Sequence, residues 1–279
     1  MGQLLKTPTI LTKPMSDGEL LFIGLGLSGV DGMTVKALSE LRSCDIVYAE
    51  FYTSDLMGAT KEDLEVLIGK DIVLLDRTQV EETEEVIEAA KGKKVAFVTA
   101  GDTMAATTHV DIRIRAEEEG VKTRLIHGIS IFSSCPSSMG LQPYKFGRTV
   151  TLPIREGDYL PRSPYDHILD NKERGLHSMI LLDIRAEEGR YMSAKEGIEW
   201  LLAAEDMYEG GLIDDKTVVC IAARIGSPEE MIVAGTAKEL LDKDVGGPLH
   251  TLVIPGSLHF MEAYALVAFA GAPERIIED

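Results

Sequence analysis

The first half of the chain repeats one pattern: a short apolar run, then a stretch with apolar residues at helical spacing. The runs are LLFIGLG (20–26), DIVYAEF (45–51), DIVLLD (71–76), KKVAFVTA (93–100) and VKTRLIH (121–127). Between them lie MTVKALSEL (33–41), for which Asp31 is a candidate cap, EDLEVLIG (62–69), a Glu-rich helix over 80–91 and a helix over 106–119. Runs that are apolar at successive positions suit strands buried on both faces. Strands that alternate with helices pair in parallel, so the expected fold is α/β with a covered parallel sheet.

After Gly140 the rhythm breaks. LQPYKFGRTVTLPIREGDYLPRSP (141–164) is rich in proline and aromatic residues and reads as a crossover between domains. Beyond it come a helix (165–173), a strand (177–184), a helix (193–206) and the runs TVVCIAARIG (217–226), EEMIVAGT (229–236) and PLHTLVIPG (248–256). Short helices over 237–242 and 258–269 complete the series. Closely spaced runs suggest a mixed, partly antiparallel sheet. The expected organisation is a polar lead-in (1–18), an N-terminal α/β domain (19–140) and a C-terminal α/β domain (141–279). A chain of 279 residues is long enough for two such cores.

Composition narrows the partners. Acidic residues outnumber basic ones, 46 to 28, for a formal charge of −18, which argues against nucleic acid and anionic membrane. No apolar run is long enough to span a bilayer, and the N-terminus lacks an apolar signal core. Cys44, Cys135 and Cys220 are far apart and form no C-x-x-C pair, which fits a reducing, cytoplasmic setting. The six histidines show neither H-x-x-x-H nor H-E-x-x-H spacing, so no metal site is expected.

Gly24, Gly26 and Gly29 form a G-x-G-x-x-G after the first strand. One reading is a dinucleotide turn, with Glu50 at the end of the next strand for the ribose, which would make the chain an NAD-dependent oxidoreductase. Against it, SGVDGM keeps the turn open, with Asp31 and Gly32 delaying the helix. A tight strand-to-helix turn without ligand is the other reading of the glycines alone.

Longer motifs bear on the choice. GLGL, AEFYTS, GDTMAATTH, HGISI, PYKFG, ERGLHSMILLDIRAEE, YMSAKE, ARIGSP and PGSLHFMEAYALV together resemble the class III, tetrapyrrole-methylase-like methyltransferases, and within them the diphthine synthase family. The resemblance runs from about Leu20 to Ile277. It implies two α/β domains with an S-adenosylmethionine cleft between them, S-adenosylhomocysteine as product, and a homodimer. It also implies methylation, by trimethylation in the archaeal type, of the amine of the 3-amino-3-carboxypropyl-histidine of translation elongation factor 2. A tetrapyrrole methyltransferase of the same fold is the alternative. In this family the glycine turn brings backbone close to a nucleoside, with no phosphate to cradle.

The same resemblance assigns Leu27, Asp102, Ala105, Ser130, Ile131, Leu182, Ala223 and His250 to the cofactor. Thr103 stands where the family carries proline. Read as residues alone, Asp102 and Ser130 are equally helix caps, Ile131 and Leu182 core residues, and His250 a satisfied core histidine. The reaction is an in-line displacement that needs positioning more than covalent catalysis. Tyr144 and Phe146 are candidates for cation–π contact with the growing ammonium.

Overall fold

The computed structural model describes residues 15–51, 56–157 and 159–278; residues 1–14 of the expected lead-in and Tyr52, Thr53 and Ser54 of AEFYTS lie outside them. The chain forms two compact units, one from residues up to Gly26 with Val30–Ile129, the other from Leu27–Gly29 with Ser130–Asp279. The sequence places the boundary after Gly140, whereas the units part after Ile129.

The first unit runs β1 (Glu19–Gly24), α1 (Val35–Ser43), β2 (Ile46–Ala49), α2 (Lys61–Ile68), β3 (Ile72–Leu74), α3 (Arg77–Glu82), α4 (Glu85–Ala90), β4 (Lys94–Thr99), α5 (Val110–Glu118) and β5 (Lys122–Ile126). Its sheet has the order β3-β2-β4-β1-β5, with every pairing parallel. Leu20, Leu21, Phe22 and Ile23 are all fully buried in β1, an interior strand between β4 and β5. Leu21 and Ile23 pack with Leu41 and Ile68 on one face. Leu20 and Phe22 pack with Ile87 and Ile112 on the other. Each such side chain withdrawn from water contributes about 1.5–3 kcal/mol, which is why the run carries no polar alternation.

Three expected helices change at their ends for local reasons. Thr34, rather than Asp31, caps α1, its hydroxyl accepting from the Ala37 amide at 3.1 Å. The Glu-rich helix is two helices, because Thr83 turns extended and its hydroxyl donates to the Gln79 carbonyl at 2.6 Å. α5 starts at Val110 rather than at residue 106, since Met104 and Ala106 have φ of 64° and 54°.

The second unit runs α6 (Ile131–Met139), β6 (Val150–Leu152), α7 (Arg162–Glu173), β7 (Ser178–Leu182), β8 (Ile184–Arg185), β9 (Arg190–Tyr191), α8 (Ala194–Tyr208), β10 (Val218–Ala223), β11 (Met231–Thr236), α9 (Ala237–Leu241), β12 (His250–Ile254) and α10 (Phe260–Ala270). Its five-stranded sheet has the order β11-β10-β12-β7-β6. Only β6 and β7 pair in parallel; the other three pairings are antiparallel, giving the expected mixed sheet. One face packs on Ile198, Trp200 and Leu201 of α8, the other on Cys135 of α6 and Leu266 of α10. No helix among the described residues is long and apolar enough to cross a membrane.

Candidate functional site

Three neighbouring strands of the first unit end in glycine at one edge. Gly24 closes β1, Gly101 lies just past β4 and Gly128 just past β5. A Cβ on Gly24 would stand 2.6 Å from the Gly101 carbonyl oxygen, and one on Gly128 would stand 2.4 Å from that same oxygen. The backbones therefore touch directly, which only glycine permits. Gly26 and Gly101, at φ of 88° and 71°, pair through Gly26 N–H donating to Gly101 at 3.0 Å and Gly101 N–H donating back at 2.6 Å. This edge is the carboxyl end of the parallel strands, where open α/β sheets bind their ligands.

Asp102 and Ala105 sit together in the loop leaving β4, where the Ala105 amide donates to the Asp102 carbonyl at 3.4 Å. Asp102 caps no helix: its carboxylate oxygens both lie 3.1 Å from Nδ1 of His127, on the neighbouring edge after β5. The pairing of His127 with Asp102 depends on β4 and β5 flanking β1, which sequence spacing does not reveal. Met104 and Ala106, left-handed without being glycine, hold this loop in a backbone state costing about 1–3 kcal/mol each. Thr103 is buried and its hydroxyl has no hydrogen-bond partner among the described residues.

The dinucleotide reading loses both of its parts. α1 begins at Val35, well past Gly29, so no helix N-terminus opens inside the motif. Glu50 is fully buried, with an oxygen 3.5 Å from Nε2 of His109, and is not presented to a ribose. Burial pushes the His109 imidazole down to about 4, so it is neutral near pH 7.

The second unit aligns three of the expected residues. Ala223 of β10 is paired with His250 of β12. Thr251 is paired with Leu181 of β7, which sets His250 opposite Leu182, one residue on. Leu182, His250 and Ala223 thus form a row across three adjacent strands. Leu182 and Ala223 face the α8 side of the sheet, where Gly197 leaves room for Leu182: a Cβ there would be 2.8 Å from a Leu182 methyl. His250 Nδ1 accepts from the Ala194 amide at the start of α8 at 3.0 Å, so the ring proton sits on Nε2. That Nε2 is buried and has no hydrogen-bond partner among the described residues. Burial lowers the His250 pKa, and the ring is a neutral donor near neutrality.

The remaining three lie toward the opposite face. Ser130 is the cap of α6, its hydroxyl accepting from the Phe132 amide at 3.3 Å, and Ile131 packs beside Leu27 on the cluster around Cys135 and Cys220. Leu27 is next to Gly226, where a Cβ would lie 3.5 Å from its own. Of the aromatic candidates, Tyr144 is 80% exposed, while Phe146 stacks edge-on against His177 at 5.2 Å and serves packing.

A family model described as tetrapyrrole (corrin/porphyrin) methylases matches residues 19–241. A protein named diphthine synthase from Methanocella arvoryzae is 48% identical over 254 residues, covering 90% of this chain and 98% of its own. Another so named, from Methanothermobacter thermautotrophicus, is 43% identical, covering 93% of this chain and 98% of its own. A solved structure described as the crystal structure of diphthine synthase matches with a TM-score of 0.84 at 36% identity, covering 93% of this chain and 98% of the other. Matched this fully in sequence and in fold, the chain belongs to the diphthine synthase family of the tetrapyrrole methylases.

Proposed function

We propose that the chain transfers methyl groups from S-adenosylmethionine to the amine of the 3-amino-3-carboxypropyl-histidine of translation elongation factor 2, three per histidine, releasing S-adenosylhomocysteine. The observation that carries this reading is likeness over nearly the whole chain to proteins named for that activity. It also weighs against a tetrapyrrole acceptor, for which only the broader family speaks.

The residues present fit the cofactor. It carries no phosphate, and the chain offers no phosphate cradle: bare glycine backbone at Gly24, Gly101 and Gly128, the small Ala223, the Asp102 carboxylate and a buried N–H on His250. Leu27, Asp102, Ala105, Ser130, Ile131, Leu182, Ala223 and His250 are its proposed binding residues. The bound cofactor supplies a methyl group already activated by a sulfonium. The chain's part is to hold the acceptor amine in line with it and exclude water, a positioning effect. The His250 N–H serves as a fixed donor whose direction is set by the Ala194 amide. Replacing His250 with Phe is expected to weaken S-adenosylhomocysteine binding about ten-fold, one hydrogen bond's worth, in a calorimetric titration. Undiminished affinity removes His250 from the site.

The reading further joins two copies of the chain. Phe260, Met261, Tyr264 and Phe269 are each more than half exposed on α10, an apolar face that a second copy would cover. Sedimentation is expected to give twice the 30.4 kDa chain mass. A single-chain mass at micromolar concentration excludes the pairing.

The deciding experiment is the intact mass of elongation factor 2 carrying the 3-amino-3-carboxypropyl-histidine, after incubation with this protein and S-adenosylmethionine. Three methyl increments on the modified factor, and none on the unmodified one, are expected. No increment, with the cofactor bound, means that the acceptor is another molecule.

A further inference from the structure

The second unit holds a cavity of about 180 Å³ whose walls include Arg155, Arg190, Met192, Glu196, Glu199 and Trp200. Drug-sized ligands occupy cavities of about 300–1,000 Å³, so this one suits a single small group. Glu196, Glu199 and Trp200 lie within one turn of α8 and share a face. Arg190 and Glu196 are spent on each other: the guanidinium donates twice to that carboxylate, which also accepts from the Ser193 amide and hydroxyl, each at 2.8 Å.

Two charged groups on the same wall are not spent. Arg155 and Glu199 are exposed, of opposite charge, and neither has an ion pair or side-chain hydrogen bond among the described residues. Trp200, on the same face of α8, is fully buried and packs in the core beneath them. Two opposite charges that share a small cavity without pairing are complementary to a ligand that carries both.

The cavity is also tied to the row of Leu182, His250 and Ala223. Met192 donates its amide to the Asp183 carbonyl at 3.0 Å, and Ile154, another wall residue, donates its amide to the Asp183 carboxylate at 3.1 Å. Asp183 follows Leu182 directly, and Ala194, two residues past Met192, donates to His250.

We propose that this cavity is the binding site for an α-amino-acid head group, with Arg155 taking the carboxylate and Glu199 facing the ammonium. An arginine fork matches a carboxylate in geometry as well as charge. On the proposed function above, two molecules carry such a head: the acceptor, through its 3-amino-3-carboxypropyl group, and S-adenosylmethionine, through its methionine end. For the acceptor the assignment rests on that reading. The cavity itself does not.

The chain contains one tryptophan, so Trp200 alone supplies its indole fluorescence and indole N–H resonance. Titration with L-2-aminobutyrate is expected to shift both saturably, with butyrate and butylamine, each carrying one charge, binding at least about ten-fold more weakly. Arg155→Gln and Glu199→Gln, both at exposed positions, are expected to fold normally and lose the response. No saturable shift, or an equal one from butyrate or in the variants, overturns the site. Kinetics then separate the sources. A KM for the modified elongation factor raised about ten-fold in Arg155→Gln, at unchanged KM for S-adenosylmethionine, assigns the cavity to the acceptor; the reverse assigns it to the cofactor. Both unchanged overturns the proposal. If the unaltered protein does not methylate the factor, the functional reading falls, and the titration still decides the cavity.

Discussion

Replacing Gly128 with Ala is expected to cost the first unit about 3 kcal/mol or more, near the upper end for overpacking a tight core, and to abolish cofactor binding with it. The added methyl would sit 2.4 Å from the Gly101 carbonyl oxygen and 2.8 Å from the Gly24 carbonyl carbon. Both are backbone atoms of neighbouring strands, so no side chain can swing aside. Relief requires β4 or β1 to move, and with it the loop carrying Asp102. Gly92→Ala is the matched control: nothing lies within 4 Å of its Cβ position, and it is expected to change stability by less than about 1 kcal/mol. Urea unfolding of both variants gives the answer. If Gly128→Ala is as stable as Gly92→Ala, the close approach of the three strand ends is not a structural requirement.

The second large effect belongs to Glu262. Its carboxylate is fully buried and accepts from the Gln142 amide at 2.9 Å, the His259 amide at 2.8 Å, His177 Nε2 at 3.2 Å and the Lys145 ammonium. His177 Nδ1 in turn accepts from the Gly256 amide at 2.9 Å, which leaves Nε2 as the donor. Burial alone would raise the carboxyl pKa; Lys145 and the two amides outweigh it and hold Glu262 down to about 2. A depressed folded-state value means stability that is fully present above the unfolded value of 4.5 and is lost as pH falls toward about 2, roughly 3 kcal/mol in all. Glu262→Gln is expected to lose about 3 kcal/mol at neutral pH, because Lys145 keeps its charge without a partner. Its urea midpoint is also expected to fall less steeply than that of the unaltered protein between pH 5 and about 3. Parallel pH profiles would mean that Glu262 is not the group that couples this network to acid.

How far the sequence speaks depends on the range of the interaction concerned. The parallel sheet was legible because burial on both faces removes polar alternation, and LLFI shows this at four successive positions. The mixed second sheet was legible from the closeness of its runs. β6 was not, because its short VTL core lies in a segment punctuated by Pro143 and Pro153. Pro136 hid α6 in the same way: it sits inside the helix, where proline removes a donor, and only the Ser130 cap hinted at a start. Resemblance supplied the row of Leu182, Ala223 and His250, which register then aligned. The pairs Asp102 with His127 and Glu262 with His177 join positions 25 and 85 residues apart. Strand order and helix packing create them, and no local signal marks them.

The interior place of β1, between two strands that come much later in the chain, also bears on how the protein is made. Its partners β4 and β5 do not end until Thr99 and Ile126. A ribosome working at about 5–20 residues per second therefore carries an apolar strand with both edges open for several seconds. During that time LLFIG is an unpaired apolar strand and an aggregation hazard on the nascent chain. The gap can close only after the helices that follow β2 and β3 have been made, so a holding chaperone is expected to meet this protein early, at its first strand.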